Sequence, residues 1–262
     1  STFGFGLARS IYVLPVQRKA ACITNFVPLT FYAGGHPTQL MSSPHAGFEV
    51  QARVELFCPG LERCSTTVSI VGDWHNSTSV SSGLVDIAAG AYLTVHLSIP
   101  HTETKNVKLW HPRGNGAQAR YNVTATLNSV VIAEGRGEEM ASASTSRLIG
   151  FRHVALVTTN DTDPGTLAAL KAANATHSGA HTMMFRVNGA AIYARGGSKV
   201  PMDLMEGRLS AKAHRRLVQS AAEAHFTVIR VWGGGVWEPR AFYDAADEFG
   251  VLICESGLDL LC

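Results

Sequence analysis

Hydrophobic and polar residues alternate over short stretches in the first part of the chain, and Gly, Pro, Asn and Asp interrupt them. This two-residue period is typical of antiparallel strands that bury one face, and no helical period is found up to about residue 146. The spacing of the stretches predicts an immunoglobulin-like sandwich. The predicted strands are 10–15, 21–32, 47–57, 67–71, 91–99, 121–127 and 130–134.

The pattern changes after residue 182, where signals for strands and helices begin to alternate. Asn188 and Gly189 predict a hairpin, because both tolerate the positive φ angles of a type I′ turn. A helix is expected from a serine N-cap at residue 210 to about residue 225, and the β-branched run 227–231 follows it. The predicted apolar side of this helix consists of Leu217, Val218, Ala221 and Ala224.

A second unit follows at once. Glu238 and Pro239 suit the first turn of a helix, Gly250 suits its end, and residues 251–254 read as a buried strand. The predicted inner face of this helix consists of Phe242, Tyr243, Ala246 and Phe249. Such β-α-β crossovers belong to parallel sheets, so the last 80 residues are either a small doubly wound sheet or the start of a (β/α)8 barrel. A barrel needs about 250 residues, so most of it would lie beyond Cys262.

Composition and charge exclude several classes of protein. A chain with 46% hydrophobic and 16% charged residues is typical of a folded domain. The net charge is +2, and its 22 Lys and Arg residues are scattered among 20 Asp and Glu residues. Without a basic stripe we expect no nucleic-acid partner, and without an apolar run of about 18 residues we expect no membrane span. A chain that starts at Ser1 is expected to begin within a longer protein.

Cysteines and asparagines bear on the cellular compartment. The five cysteines show no CxxC pair and no Cys/His spacing of a zinc site, so no metal or other cofactor is predicted. Cys58 and Cys64 flank a short turn and are either a disulfide or two buried thiols. Four Asn-x-Ser/Thr sequons among nine asparagines predict a secreted or lysosomal glycoprotein. The predicted glycosylation sites are Asn76, Asn122, Asn160 and Asn174.

The stretch Arg-Val-Trp-Gly-Gly-Gly-Val-Trp-Glu at 230–238 carries the most chemical information. Trp232 is a candidate sugar platform at the end of a strand, although an aromatic anchor of the core or a loop is an equal reading of its composition. Glu255 also follows a strand end, and the strand ends carry the site in a barrel. A dinucleotide site competes, but Glu238 stands where its third glycine belongs and would repel a pyrophosphate.

With 242–244 and 247–250, this stretch resembles the β-mannosidases of glycoside hydrolase family 2, and the resemblance runs from about residue 10 to residue 262. The other matching stretches are 109–110 with 112, 116, 118 and 121–122, then 150–152, 185–189, and 196–201 with 203. The resemblance implies an internal fragment whose fold is mainly a β-sandwich followed by an incomplete (β/α)8 TIM barrel. The implied segments are a jelly-roll tail at 1–16, the sandwich at 17–152 and the start of the catalytic barrel at 153–262.

Two stretches depart from the family pattern. The family usually has Gly-x-Asn-Trp-Ile-Pro where this chain has Gly-Gly-Ser-Lys-Val-Pro at 196–201. It usually has Trp-Gln-Asp-Phe where this chain has Cys-Glu-Ser-Gly at 254–257. An indole that can stack on a sugar and a carboxylate that can accept from a hydroxyl are thereby lost.

The resemblance implies a β-mannosidase that releases terminal β-linked mannose by a retaining mechanism and needs no cofactor. The two catalytic glutamates would lie outside this chain, because no asparagine here precedes a glutamate as the family's acid/base motif requires. Trp232 would form a wall of the sugar site, Arg230 would tie strand-end carboxylates together, Asp203 would bind a hydroxyl, and Glu255 is a further candidate for substrate binding. The partners would be a β-mannoside glycan and the rest of the chain's own barrel. The alternative is a non-catalytic sandwich protein with a degenerate barrel.

Overall fold

The computed structural model describes residues 16, 20–35, 40–133, 137–157, 183–203 and 205–255. Several predictions fall outside these residues, namely the strand 10–15, the jelly-roll tail apart from Val16, the sequons at Asn160 and Asn174, and Ser256. Within the described ranges no helix is long and apolar enough to cross a membrane.

The first part of the chain forms two packed antiparallel sheets. Their strands are β1 (Cys22–Tyr32), β2 (Phe48–Phe57), β3 (Cys64–Gly72), β4 (Val80–Ile87), β5 (Tyr92–Ile99), β6 (Tyr121–Ala133) and β7 (Gly137–Ile149). One sheet has the order β1-β2-β5 and the other β4-β3-β6-β7, and this confirms the predicted sandwich. A short 3₁₀ turn, His101–Thr104, follows β5. Cys58 and Cys64 form a disulfide between the end of β2 and the start of β3.

The hydrophobic pattern of the sequence did not predict every strand of the sandwich. β4 and β7 were not predicted, and the predicted strands 121–127 and 130–134 are one continuous strand, β6. Serine, glycine and glutamate are abundant in β4 and β7, and their β-propensity is low. β7 pairs with β6 along its whole length, from Tyr121 opposite Ile149 to Ala133 opposite Gly137. Its conformation therefore depends on the partner strand more than on its own sequence.

The sandwich core contains the inward side chains of both sheets and an aromatic cluster at one end. Phe48 and Trp74 pack on Phe151, with ring centroids 5.5 Å and 5.2 Å away. Phe151 comes after the last strand of the sandwich and is fully buried in its core. Each such ring contributes about 1.5–3 kcal/mol by leaving water. The chain therefore leaves the sandwich at a fixed point.

The second part contains two small sheets. β8 (Val154–Val157), β9 (Met184–Val187) and β10 (Ala190–Ile192) are antiparallel in the order β10-β9-β8. Asn188 and Gly189 have φ angles of 52° and 82°, which confirms the predicted hairpin turn. The chain continues through β11 (Gly196–Lys199), a 3₁₀ turn (Glu206–Arg208), α1 (Ala211–Glu223), β12 (Val228–Val231), α2 (Arg240–Phe249) and β13 (Leu252–Glu255). β11, β12 and β13 form a parallel sheet in that order.

Two predicted helix ends are confirmed and one is wrong, because α2 begins at Arg240, with Pro239 as its N-cap residue and Glu238 before the helix. Ser210 caps α1, its side chain accepting a hydrogen bond from the backbone N of Ala213 at 3.2 Å. Gly250 ends α2 with a φ of 77°, in the left-handed region that favours glycine. The inner face of α1 differs in part, because His214 and Ala222 are buried and Ala224 is exposed.

β11 was not predicted, since Gly-Gly-Ser-Lys has little intrinsic preference for a strand. It forms because β12 approaches closely, and a Cβ added at Gly196 would lie 1.7 Å from the carbonyl oxygen of Val228. Only glycine fits there.

A hydrogen-bonded junction joins the sandwich to the second part. The fully buried Trp110 donates from Nε1 to the carbonyl of Asp247 in α2, at 2.7 Å. Arg152 lies 4.4 Å over the Trp110 ring and 3.1 Å from the Asp247 carboxylate. Arg113 N donates to the carbonyl of Gly250 at 2.8 Å. We call these residues, with His111, His153 and Asn188, the junction.

Asn188 ties four segments together at the junction. Its side chain accepts from His153 N at 2.9 Å and donates to the carbonyl of Trp110 at 2.9 Å. Its backbone donates to the carbonyl of His153 at 2.8 Å and accepts from Met41 N at 3.0 Å. Asn188 is fully buried, so its own polar groups need partners within the protein, and these four bonds supply them.

Candidate functional site

The carboxyl ends of the three parallel strands present two rows of side chains. Ser198, Arg230 and Cys254 are register partners in one row, and Lys199, Val231 and Glu255 form the next row. Successive residues of a strand point to opposite faces. Val231 is buried among the side chains of α1 and α2, so its row faces the helices and the Arg230 row faces away from them.

Arg230 lies on the face away from the helices and is exposed, as the alternation of the strand predicts. Its Nη1 donates to Ser198 Oγ at 3.0 Å. Ser198 is one of the departures from the family pattern, so the exchanged residue holds the arginine. Among the described residues the guanidinium pairs with no carboxylate, and its role in tying carboxylates together stays a prediction.

Trp232 follows β12 and remains 47% exposed. Its backbone N donates to the carbonyl of Lys199 at 3.0 Å. The six-membered ring of the indole lies over Gly234, where an added Cβ would meet it at 2.4 Å. Trp232 is absent from the hydrophobic core under the helices. The glycine thus lets a half-open indole lie across the loop backbone beside Arg230.

Asp203 and Glu255 are engaged with neighbouring protein groups. Asp203 accepts from Met205 N at 2.9 Å and lies 3.6 Å from Arg208 Nε, so it stabilises the turn after β11. Glu255 accepts a hydrogen bond from the Tyr243 hydroxyl of α2. Burial, and then this hydrogen bond, raise the pKa of Tyr243 above its ordinary value. Of the four predicted residues, Arg230 and Trp232 therefore lie together and Glu255 faces the helices. Asp203 lies in the turn after β11.

A buried ion-pair cluster lies on the helix side of the strand ends. Glu238 pairs with Lys199 Nζ through Oε1, and His214 Nδ1 lies 3.3 Å from its Oε2. The side chains of Lys199, Glu238 and His214 are 9%, 3% and 7% exposed. Lys199 Nζ also lies 5.6 Å from the centre of the Phe242 ring. We call Lys199, Glu238 and His214 the Glu238 cluster.

Two positions in the cluster differ from the usual placement of such residues. A glutamate is most often solvated on the surface, yet Glu238 is buried because a lysine from β11 balances its charge. Lys199 stands where the family pattern has an indole, and strand alternation turns it toward the helices. His214 and Tyr243 were not singled out for this site by sequence reasoning. In the sequence, each could have been noticed only as a polar side chain on the inner face of a predicted helix.

Two predicted glycosylation sites lie among the described residues. Asn76 is exposed, in a turn with a φ of 64°. Asn122 is exposed on β6, where its Nδ2 donates to Asp73 Oδ2 at 3.1 Å. In the described ranges no group of three or more His, Cys, Asp or Glu residues is arranged to hold a metal ion.

The chain is similar in sequence to known β-mannosidases. No family model matches the chain. It is 30% identical to Beta-mannosidase A of Aspergillus terreus over 201 residues, which is 72% of this chain and 20% of that protein. It is 28% identical to Beta-mannosidase of Rattus norvegicus over 270 residues, which is 91% of this chain and 28% of that protein. The chain thus spans only 20% and 28% of the length of these two curated relatives.

Solved structures share the fold. The β-D-mannosidase of Dictyoglomus thermophilum superposes with a TM-score of 0.59 at 22% identity, over 90% of this chain and 24% of that one. The exo-chitosanase of Amycolatopsis orientalis gives 0.60 at 20% identity, over 90% and 22%. A β-glucuronidase of Bacteroides uniformis gives 0.59 at 14% identity, over 87% and 22%. These enzymes act on different sugars, so the structural likeness alone does not select a substrate.

Proposed function

Because the chain is a β-mannosidase-like segment of glycoside hydrolase family 2, we propose that the whole protein is a β-mannosidase that releases terminal β-linked mannose. The observation that carries the proposal is the sequence similarity to β-mannosidases across the sandwich and the strand ends. The structural neighbours support a glycosidase, and the curated relatives favour mannose among its sugars.

In this proposal the strand-end face with Arg230 and Trp232 forms part of the sugar subsite. A half-open indole offers the apolar face of a sugar ring a stacking surface, and an exposed guanidinium offers donors to hydroxyls or carboxylates. Asp203 would have to exchange its bond to Met205 for a sugar hydroxyl, and Glu255 would act through Tyr243. The mechanism is retaining, with two glutamates outside this chain about 5 Å apart as acid/base and nucleophile.

The parallel sheet β11-β12-β13 would be the opening of a (β/α)8 barrel at 153–262, after a sandwich at 17–152 and a jelly-roll tail at 1–16. Short parallel strands with both crossover helices on one face support this arrangement. A secreted or lysosomal location is proposed from the Cys58–Cys64 disulfide and the exposed sequons at Asn76 and Asn122.

Hydrolysis of aryl glycosides by the whole protein tests the function. We expect turnover of an aryl β-mannoside at least about a hundredfold faster than that of the matching β-glucoside, β-glucosaminide or β-glucuronide. The Arg230→Gln variant should lose at least about tenfold in kcat/KM, since a charged hydrogen bond to the reacting site is worth about 1.5–3 kcal/mol. The 262-residue chain alone should show no turnover. Equal rates on all four sugars would overturn the mannosidase assignment.

A non-catalytic protein with a degenerate barrel is the second candidate, and the buried Lys199 favours it. An amine in an internal ion pair replaces the indole of the family pattern, so one aromatic surface of the strand ends is gone. A whole protein that binds a β-mannoside but leaves every aryl glycoside intact would select this alternative.

A further inference from the structure

The loop at 232–238 is held at both ends by one residue. Lys199 accepts a hydrogen bond from Trp232 N through its backbone carbonyl, at 3.0 Å. The Lys199 ammonium pairs with Glu238 at the far end of the same loop. Lys199 is the last residue of β11, and its carbonyl and its side chain bind opposite ends of the loop. The loop is thereby closed onto the end of β11.

We call the two contacts of Lys199 with Trp232 N and with Glu238 the clamp. Burial strengthens its ion pair. The Lys199 and Glu238 side chains are less than a tenth exposed, so removal of either charge would leave the other buried and uncompensated. His214 from α1 approaches the second carboxylate oxygen at 3.3 Å, without the geometry of a hydrogen bond to any described residue. Three elements therefore meet at Glu238, namely β11, α1 and the loop.

We propose that Lys199 and His214 act through Glu238 as positioning residues that hold the 232–238 loop, and with it the Trp232 indole, against the end of β11. None of the three contacts the sugar. The inference rests on the proposed function only in taking this loop as a wall of the sugar subsite. Lys199 stands where the family pattern has a tryptophan. In this proposal the chain lacks that indole, and Lys199 instead holds the loop that carries the Trp232 indole.

Hydrogen exchange of the whole protein, read by mass spectrometry on peptides that cover 232–237, tests the clamp without any sugar. Lys199→Met and Glu238→Gln should each speed exchange of these peptides at least about tenfold, because each leaves one buried charge unpaired. The double variant is electrically neutral and should exchange more slowly than either single variant. Lys199→Arg keeps the charge and should restore most of the protection.

His214→Leu should speed exchange severalfold, with acrylamide quenching of tryptophan fluorescence rising in parallel. The matched control is Arg240→Gln, which breaks the exposed pair with Asp244 on α2 and should leave the loop unchanged. Exchange of peptides from β6 and β7 reports on folding as a whole.

Unchanged loop exchange in Lys199→Met would overturn the proposal, as would a double variant no slower than the worse single variant. If a single variant does not fold, the double variant still decides: a folded protein whose 232–237 peptides exchange faster than in the wild type supports the clamp, and peptides as protected as in the wild type contradict it. No sugar is used, so a failed mannosidase assay and a failed clamp are separate results.

Discussion

The junction and the strand-end face differ in how completely their polar groups are used. At the junction Trp110 and Asn188 are fully buried, and their side-chain polar atoms bond to the backbone of other segments. At the strand-end face Trp232 is half open, and Arg230 is exposed, with Ser198 as its partner among the described residues. A closed network fixes the relative position of two sheets, whereas an open face keeps donors and an aromatic surface available.

The family resemblance divides in the same way. The stretches around 109–122, 150–152, 185–189 and 242–250 all converge on the junction, as the bonds of Trp110, Arg152, Asn188 and Gly250 demonstrate. The departures from the family pattern fall on the strand ends, at Ser198, Lys199 and Cys254. Residues that hold the two parts of the chain together and residues at the strand ends are therefore under different physical demands.

The largest contrast should come from the two tryptophans. Trp110→Ala should lower the free energy of unfolding by about 3–5 kcal/mol, since it leaves a cavity and removes the bond to Asp247. Trp232→Ala should cost about 0.5 kcal/mol or less, because the indole is half exposed. Urea unfolding of both variants measures the difference. Equal losses would erase the distinction between the two regions.

Asn188→Ala should cost about 2–3 kcal/mol, because it leaves the buried Trp110 carbonyl and His153 N without their partner. Alanine is also strained at a φ of 52°. Asn188→Gly separates the two causes, since glycine removes the side chain and accepts the angle. It should be more stable than the alanine variant by about 1 kcal/mol. A glycine variant as stable as the wild type would show that the side-chain bonds contribute nothing.

Some features of these two regions could be predicted from the sequence and others could not. Alternation predicted most strands of the sandwich, and Ser210, Asn188 and Gly250 predicted helix and hairpin ends, because those signals are local. β7 and β11 were not predicted, since each depends on pairing with another strand, β6 for β7 and the more distant β12 for β11. The placement of Arg230 followed from strand parity. The burial of Glu238 did not, because its compensating lysine is 39 residues away in sequence.

A pH effect should belong to the junction. Burial lowers the pKa of His111, so the folded state favours the neutral ring. As the pH falls below about 6.5, the unfolded chain takes up the proton first, and the stability from this group is lost. We expect the midpoint of urea unfolding to decrease less between pH 7.5 and 5 in His111→Gln than in the wild type. His96→Gln, at an exposed position on β5, should retain the wild-type slope.

The smallest effect should come from Arg230, and its match is Arg152 at the junction. Arg152 stacks on Trp110 at 4.4 Å and pairs with Asp247 at 3.1 Å, and its side chain is 32% exposed. Cation–π contact and a partly shielded ion pair are together worth about 1 kcal/mol, so Arg152→Gln should lower the free energy of unfolding by about that amount. Arg230→Gln loses one exposed hydrogen bond to Ser198 and should change stability by less than about 0.5 kcal/mol. Urea titrations at two salt concentrations measure the free energy of unfolding of both variants. Higher salt should reduce the loss in Arg152→Gln, because it screens the ion pair with Asp247. A loss above about 1.5 kcal/mol in Arg230→Gln would mean that this arginine is a structural residue, and the strand-end face would then resemble the junction.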